Sequence, residues 1–112
     1  RDIAAAERAN DFMLGWWLQP LLTGEYPASM REHVGERLPR FTPEQATALV
    51  GSIDVLAINH YSSHLVEDAP GPKVQGGYSA WSDDMSIVSI FGADWPPSGS
   101  PWLRKYPPGF SA

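Results

Sequence analysis

Residues 55–64 read VLAINHYSSH, an apolar run that ends in polar and aromatic side chains. The run begins slightly earlier, at Ile53, and only Asp54 interrupts it. A strand that is apolar on both faces is typical of a parallel sheet covered by helices. When a helix leads into such a strand through a short link, the pair is typical of α/β folds. The stretch therefore predicts one buried parallel strand of an α/β protein.

Several helix signals agree in the residues before this strand. Thr42 suits an N-cap, Pro43 suits the first helical position, and Gln45 completes a capping box with Thr42. Gly51 is placed to end the helix in a left-handed turn. Together these signals predict a helix over 43–50, joined to the strand by a two-residue link.

The N-terminal residues predict a longer helix over 2–19. Apolar residues recur there every three or four positions, which is the period of one helix face; they are Ala5, Ala9, Phe12, Met13 and Trp16. The opposite side is expected to be polar, with Glu7, Arg8, Asn10 and Asp11. Pro20 disfavours helical geometry at Gln19, so the helix is expected to end there. The wide aromatic stripe needs a large partner surface.

The rest of the chain supplies few further elements. A short helix within 27–39 is expected to stop near Gly35, and SIVSIF at 86–91 could form a second strand in an excursion or hairpin. Most of the eleven prolines and ten glycines follow residue 69, so the last forty residues predict mainly loop. One parallel strand cannot make a sheet. The chain is therefore expected to be a segment of a larger domain, either an α/β barrel or a doubly wound sheet.

Composition excludes several classes of partner. The net charge is −5 and the pI about 5.0, which disfavours binding to nucleic acid or anionic lipid. There is no cysteine, so disulfides and thiolate metal sites are excluded. No segment reaches the roughly 18 apolar residues of a membrane span. The chain opens on Arg1, without an initiator methionine, which also fits an internal piece of a longer chain.

Two histidines in the opening stretch raise the question of a metal site. His60 and His64 are four apart, a spacing that could hold a metal on a helix. In a strand, residues four apart are separated by roughly 13 Å, which is too far for both to bind one metal at about 2 Å each. We therefore expect no metal, and the two histidines should cover the outer end of the strand.

Asn59 and Tyr61 are the candidate site residues of the stretch. Alternate side chains of a strand share a face, so these two continue the face of the core residues before them. Ligands of α/β folds bind at the carboxyl ends of the strands, where this pair lies. Alternatively, Asn59 turns the chain and Tyr61 plugs the barrel mouth. Position alone leaves both interpretations open.

Three stretches resemble glycoside hydrolase family 1, the β-glucosidase family. RANDFMLGWWLQPLLTGEYP and the LPRFT that follows are similar to ALDFMLGWFLDPLTNGDYP and LPKFT of that family. DVLAINHYS resembles its strand DFIGLNYYT, and SPWLRKYPPGF resembles SDWLYIYPRGL. The order and spacing match over nearly the whole chain, and only the loop around 66–94 matches poorly.

The resemblance implies a partial (β/α)8 TIM barrel and retaining hydrolysis of β-glycosides, with no metal or organic cofactor. Such barrels have about 200 to more than 400 residues. Residues 1–112 would then be one segment of a single barrel, and the remainder would come from the full-length chain. The family carries its two catalytic glutamates in motifs like TFNEP and ITENG, and neither is present. This segment alone is therefore expected to be inactive.

The resemblance also implies supporting roles for residues that are present. Asn59 matches a strand-end asparagine that orders the glucosyl site, and Tyr61 matches a tyrosine whose hydroxyl holds the nucleophilic carboxylate. Trp102 matches a tryptophan that walls the aglycone site. His60 departs from the family, which has tyrosine there. Two tryptophans, Trp16 and Trp17, are expected to pack, whereas packing and binding stay open for Trp81 and Trp95.

A second hypothesis is not enzymatic. The chain could act as a truncated carbohydrate-binding or interaction module that uses Trp102 and neighbouring aromatic side chains. It would then expose the stripe of residues 5–16 and its strand edges, and should associate or aggregate.

Overall fold

The structure of the protein, a computed structural model, describes residues 2–69 and 80–111. Its helices and strands follow the order α1 (Ile3–Asn10), a π-helical segment (Asp11–Gly15), α2 (Trp16–Thr23), α3 (Ala28–Val34), a 3-10 turn (Gly35–Arg37), α4 (Pro43–Leu49), β1 (Leu65–Asp68), α5 (Ala80–Met85), β2 (Ile87–Ile90) and a second 3-10 turn (Pro107–Phe110). No helix in the described part of the chain is long and apolar enough to cross a membrane.

The N-terminal helix runs further than its sequence predicts. The π-helical segment joins α1 to α2 without a break, and Pro20 lies buried inside α2. The predicted end at Gln19 is therefore wrong. The helix ends at Gly24, whose N–H donates to the Pro20 carbonyl at 2.9 Å and whose φ of 76° is left-handed. Packing of α2 against α4 outweighs the local penalty of the proline.

Gly24 also permits a close approach between α2 and α4. A Cβ atom at this position would lie 2.9 Å from the Ala46 Cβ. We expect Gly24→Ala to destabilise the protein by about 1–2 kcal/mol, because it combines the left-handed backbone with this collision. Urea unfolding measures the change.

Two control glycines separate the causes of the expected loss at Gly24. Gly51 has a φ of 72° but nothing within 4 Å, so Gly51→Ala reports the backbone cost alone. Gly99 has nothing within 4 Å either and no left-handed φ, so Gly99→Ala should be near neutral. A loss at Gly24 no larger than that at Gly51 would show that the contact with α4 is not tight.

The shorter helices follow their local signals. The Gln45 N–H donates to Thr42 Oγ1 at 3.3 Å, and the Thr42 N–H donates to Gln45 Oε1 at 2.9 Å, so the predicted capping box is confirmed. Gly51 follows with a left-handed φ of 72°. The predicted stop at Gly35 is also confirmed, with a φ of 63° after α3.

The apolar stripe of the N-terminal helix is largely covered within the chain, which corrects the expectation of an unpaired stripe. Ala5 and Phe12 are fully buried, since α1 packs against β1 and the π-helical segment packs against α3. Met13, however, is 62% exposed. The apolar side chains that remain at the surface of this helical run include Ile3, Met13, Leu14, Trp17 and Leu22.

Arg8 is placed differently from its predicted position on a polar face. Only 9% of it is exposed, and its Nε donates to the Met85 carbonyl at 2.7 Å. One terminal nitrogen donates to the Ser86 carbonyl at 3.0 Å and also pairs with the Asp68 carboxylate. A long aliphatic stem lets a buried arginine reach such polar groups. Arg8 therefore holds both β1 and the turn before β2 against α1.

Asp2 caps the same helix and also contacts β1. Its carboxylate accepts the Ala5 N–H at 3.0 Å and the Asp68 N–H at 3.1 Å. The hydrogen bond from Ala5, followed by that from Asp68, lowers the pKa of Asp2 from its usual value because both donors favour the charged form.

The sheet of the described chain is antiparallel and two-stranded. β1 pairs with β2 in a register that opposes Leu65 to Ile90 and Asp68 to Ile87. The predicted second strand at 86–91 is thereby confirmed, and because α5 lies between β1 and β2, the strand belongs to an excursion and not to a tight hairpin. Its partner at 65–68 was not predicted.

The predicted buried parallel strand is not formed within the described chain, and this corrects the fold expectation. Residues 55–64 have no regular secondary structure, and Val55 is 82% exposed. Leu56 and Ile58 are exposed as well. A parallel strand needs hydrogen-bonded neighbours and covering helices, and no described segment pairs with 55–64. The apolar run therefore lies at the surface.

Candidate functional site

A groove lies where the opening stretch meets the C-terminal loop. Its volume is about 260 Å³. One wall is formed by residues 60–63, and the other by residues 103–107 together with Phe110. The rings of His60 and Phe110 meet in a T-shaped arrangement, with their centroids 5.4 Å apart. The groove is thus bounded mainly by aromatic and basic side chains.

Tyr61 lines this groove and is 68% exposed. Asn59 is exposed nearby but is not among the groove residues. The structure therefore brings only one of the two predicted strand-end residues into the groove. Neither side chain makes a hydrogen bond within the described chain, which leaves the Tyr61 hydroxyl free to bind a further group.

Trp102 lies at the turn of a hairpin-like loop. Pro97 and Arg104 form a bridge, and the Ser98 N–H donates to the Leu103 carbonyl at 3.2 Å. Trp102 is 59% exposed, so it is not a core residue of the described chain. It does not itself line the groove, but the next two residues do. A flat, exposed indole beside a groove suits contact with a sugar or aromatic face.

Trp95 and Trp81 pack within the described chain. Trp95 is buried and stacks on Tyr106, with centroids 4.1 Å apart and an interplanar angle of 12°. The Trp81 Nε1 donates to the Phe12 carbonyl at 3.3 Å, which joins α5 to the π-helical segment. Both of these tryptophans, left undecided by the sequence, are accounted for by packing.

Trp16 and Trp17 only partly follow their predicted packing role. The two rings stack on each other at 5.4 Å, and Trp17 stays largely exposed in the described chain. No described element covers its outer face.

Ser63, in one wall of the groove, lies in close contact with Gly109, which precedes Phe110 of the other wall, and the sequence did not indicate this contact. A Cβ atom at Gly109 would lie 2.6 Å from the Ser63 Cβ, and closer still to the Ser63 Oγ. That hydroxyl is buried and has no hydrogen-bond partner in the described part of the chain. A glycine inside PPGF is the one sequence signal that could have found this contact.

The groove is electropositive. Arg104 and Lys105 line it, and no carboxylate does. The Arg104 guanidinium lies 5.7 Å from the centroid of the Phe91 ring, which also contacts His64 at 4.7 Å. Partial burial lowers the pKa of His64 because desolvation disfavours the imidazolium.

The groove holds neither a catalytic carboxylate pair nor a metal site. Its lining includes no aspartate or glutamate. Among residues 2–69 and 80–111, no group of three or more histidine, aspartate or glutamate side chains could hold a metal. His60 and His64 instead pack against different phenylalanines.

Comparison with solved structures defines the class of protein. The fold matches the rice Os3BGlu6 β-glucosidase with a TM-score of 0.85 and 38% sequence identity, over 96% of this chain and 23% of the rice chain. The chain thus has the backbone of part of a β-glucosidase.

Comparison with sequences identifies the family. The profile of Glycosyl hydrolase family 1 matches residues 1–112, and the chain belongs to this family. It is 39% identical to raucaffricine-O-β-D-glucosidase of Rauvolfia serpentina, over 96% of this chain and 21% of that protein. It is 41% identical to cyanidin 3-O-glucoside 5-O-glucosyltransferase (acyl-glucose) of Dianthus caryophyllus, over 92% and 20%. The chain therefore spans about a fifth of the length of these relatives.

Proposed function

We propose that the chain is part of a retaining β-glycosidase of the β-glucosidase type, acting on small β-glycosides. In this proposal residues 1–112 form one segment of a single (β/α)8 barrel. The observation that carries the proposal is the family match along all 112 residues, combined with coverage of only about a fifth of each relative. The missing four fifths would supply the other strands.

The exposed apolar run supports a barrel setting. Val55, Leu56 and Ile58 are apolar on both sides of the chain and face solvent in the described structure. Burying a side chain of this size contributes roughly 1.5–3 kcal/mol. Neighbouring strands and helices from the rest of a barrel would cover these residues and turn the run into the buried parallel strand that its sequence predicts.

Both catalytic carboxylates would come from outside this segment. Retaining glycosidases use two carboxyl groups about 5–5.5 Å apart, one as nucleophile and one as acid and base. The groove has none. Several acids of the described chain are instead paired with arginines: Glu25 with Arg31, Asp68 with Arg8, and Asp84 with Arg37. The segment would therefore support the chemistry without performing it.

Tyr61 would act on the nucleophile through its free hydroxyl. A phenol hydrogen bond to a carboxylate keeps that carboxylate ionised and correctly oriented for attack on the anomeric carbon. In the attack a carboxylate oxygen would form a bond to the anomeric carbon while the bond to the leaving group breaks, and the departing oxygen would take a proton from the acid/base carboxyl. The nucleophile is then a neutral ester, so its hydrogen bond from the phenol is weaker than that of the free carboxylate. Asn59 would order the neighbouring sugar hydroxyls, and Trp102 would cover the leaving group.

The proposal is tested on the complete protein that carries this chain. Its reading frame should encode NEP upstream and TENG downstream, and it should hydrolyse 4-nitrophenyl β-D-glucoside with retention, which proton NMR of the first-formed sugar reports. Stop codons close to both ends, or an inverted product, would contradict the proposal. Adding an acyl-glucose donor and an alcohol acceptor separates hydrolysis from glucosyl transfer, the reaction named for the Dianthus relative.

Trp102→Ala tests the wall of the aglycone site. In the complete protein we expect KM for an aryl β-glucoside to rise roughly threefold to tenfold, since one aromatic contact contributes about 0.5–1.5 kcal/mol. KM for methyl β-glucoside, which has no ring to cover, should change less than twofold. Equal changes for both glucosides would remove the proposed contact.

A non-catalytic binding module remains the alternative, and its outcome is distinct. The isolated 112-residue chain would then bind glycans and unfold cooperatively, and Trp102→Ala would abolish the binding. No observation on the described residues favours this alternative over a barrel segment.

A further inference from the structure

We propose that Ser63 and Gly109 form a spacer between two parts of the site: the groove wall of residues 60–63, which carries Tyr61, and the loop of residues 97–104, which carries Trp102. By setting the distance between them, the spacer tunes the choice of leaving group. The inference rests on the proposed function, because it concerns the aglycone side of that same site. Ser63 and Gly109 would not contact the sugar; they would act as positioning residues for Trp102.

The contact between the spacer residues is tight on both sides. Gly109 belongs to the 3-10 turn Pro107–Phe110, and its N–H donates to the Tyr106 carbonyl at 3.0 Å, which fixes its backbone. A Cβ at Gly109 would lie 2.6 Å from the Ser63 Cβ and 3.0 Å from Tyr106 Cδ1. No space therefore exists for even one methyl group, and an added atom must push the two walls apart.

A displacement at Gly109 would reach Trp102 because the intervening loop is held at several points. The Lys105 N–H donates to the Pro96 carbonyl at 2.9 Å, and Tyr106 stacks on buried Trp95. Gly92 also lies closely against Trp95, since a Cβ at this position would be 2.5 Å from Trp95 Cε2. These contacts join the chain before Trp102 to the chain after it, so we expect a displacement to move the loop as one piece.

The Ser63 hydroxyl contributes volume and not a hydrogen bond. It is buried, yet it has no partner in the described part of the chain. A buried hydroxyl without a partner is normally destabilising. Its position against the glycine backbone is consistent with a role in filling the gap between the walls.

Gly109→Ala in the complete protein is the decisive variant. We expect KM for 4-nitrophenyl β-D-glucoside to rise roughly threefold to tenfold, as for loss of one aromatic contact. KM for methyl β-D-glucoside should change less than twofold, and kcat for both should be nearly unchanged. The two substrates share the sugar, so general damage to the barrel would affect both equally. Gly99→Ala, in the same loop with nothing within 4 Å, is the matched control.

A second-site variant tests the contact itself. Ser63→Gly removes the side-chain atoms that a new methyl group at position 109 would meet. The double variant Gly109→Ala/Ser63→Gly should therefore return the ratio of the two KM values to within about twofold of the parent ratio, as expected for strongly coupled neighbours. Ser63→Gly alone should raise the ratio, because an unfilled gap loosens the loop. Where Gly109→Ala does not accumulate as folded protein, recovery of folding and of the KM ratio in the double variant supports the spacer.

The outcomes separate this inference from the proposed function. Absence of any glycosidase activity in the parent protein overturns the proposed function and the spacer with it. Activity with an unchanged KM ratio in Gly109→Ala, or additive effects in the double variant, overturns the spacer alone.

Discussion

Replacing Arg8 with methionine is expected to destabilise the protein by about 2–4 kcal/mol, the largest loss of stability predicted for a single surface or core position. The methionine keeps the aliphatic stem but removes every donor. The carbonyls of Met85 and Ser86 then lose their partners, and Asp68 loses its cation. Because Asp68 is half exposed, water recovers part of the lost energy there, and the loss stays below that of a fully buried pair.

Urea unfolding of parent and variant measures the loss at Arg8, and Arg31→Gln serves as the matched control. Arg31 also pairs with a carboxylate, that of Glu25, but near the surface. Its loss should therefore cost less than about 1 kcal/mol. If the two variants lose equal stability, the three contacts of Arg8 do not stabilise the fold more than one surface ion pair does.

Tyr61→Phe is expected to lower kcat of the complete protein roughly tenfold to a hundredfold, the effect of removing one hydrogen bond to a charged group. The substitution removes a single oxygen from an exposed ring, so unfolding stability should change by less than about 0.5 kcal/mol. KM should change much less than kcat, because the hydrogen bond acts on the nucleophile and not on the bound sugar.

Tyr26→Phe controls for loss of a tyrosine hydroxyl as such. Tyr26 stacks on Phe41 at 4.6 Å, outside the groove residues. Its variant should keep parent kinetics. Parent-like turnover in Tyr61→Phe would leave the exposed phenol without its proposed role and would favour the alternative in which it only plugs the barrel mouth.

Local signals predicted the helices well because helix ends depend on a few neighbouring residues. The capping box of Thr42 and Gln45, and the stops at Gly35 and Gly51, needed no knowledge of the rest of the fold. The prediction for the end of the first helix was wrong because α2 packs against α4, and the helix continues past Pro20. Arg8 was misplaced for the same reason, since its polar partners are about sixty or more residues away.

The candidate site residues came from two sources: Tyr61 was named from its place at the end of the apolar run, and Trp102 from the resemblance. Tyr61 lines the groove and Trp102 is exposed beside it, while their roles stay predictions. The Ser63–Gly109 contact could not be predicted, because it depends on how two segments forty-six residues apart approach each other. Residues 55–64 show the opposite case: their apolar pattern clearly predicts a strand, yet none forms, because strand pairing requires neighbours that the described chain does not supply.

The three contacts of Arg8, with Asp68, Met85 and Ser86, bear on how long the chain between residues 68 and 85 can be. Arg8 binds Asp68 before this stretch and the carbonyls of Met85 and Ser86 at its end. The two ends of the stretch are therefore held in place independently of the residues between them. For a loop with fixed ends, each doubling in length costs only about 0.6 kcal/mol of closure entropy. A peptide inserted between these attachment points, ahead of α5, should therefore cost little and leave the scaffold in place, whereas exchange of the whole stretch would remove the Trp81 and Asp84 contacts of α5.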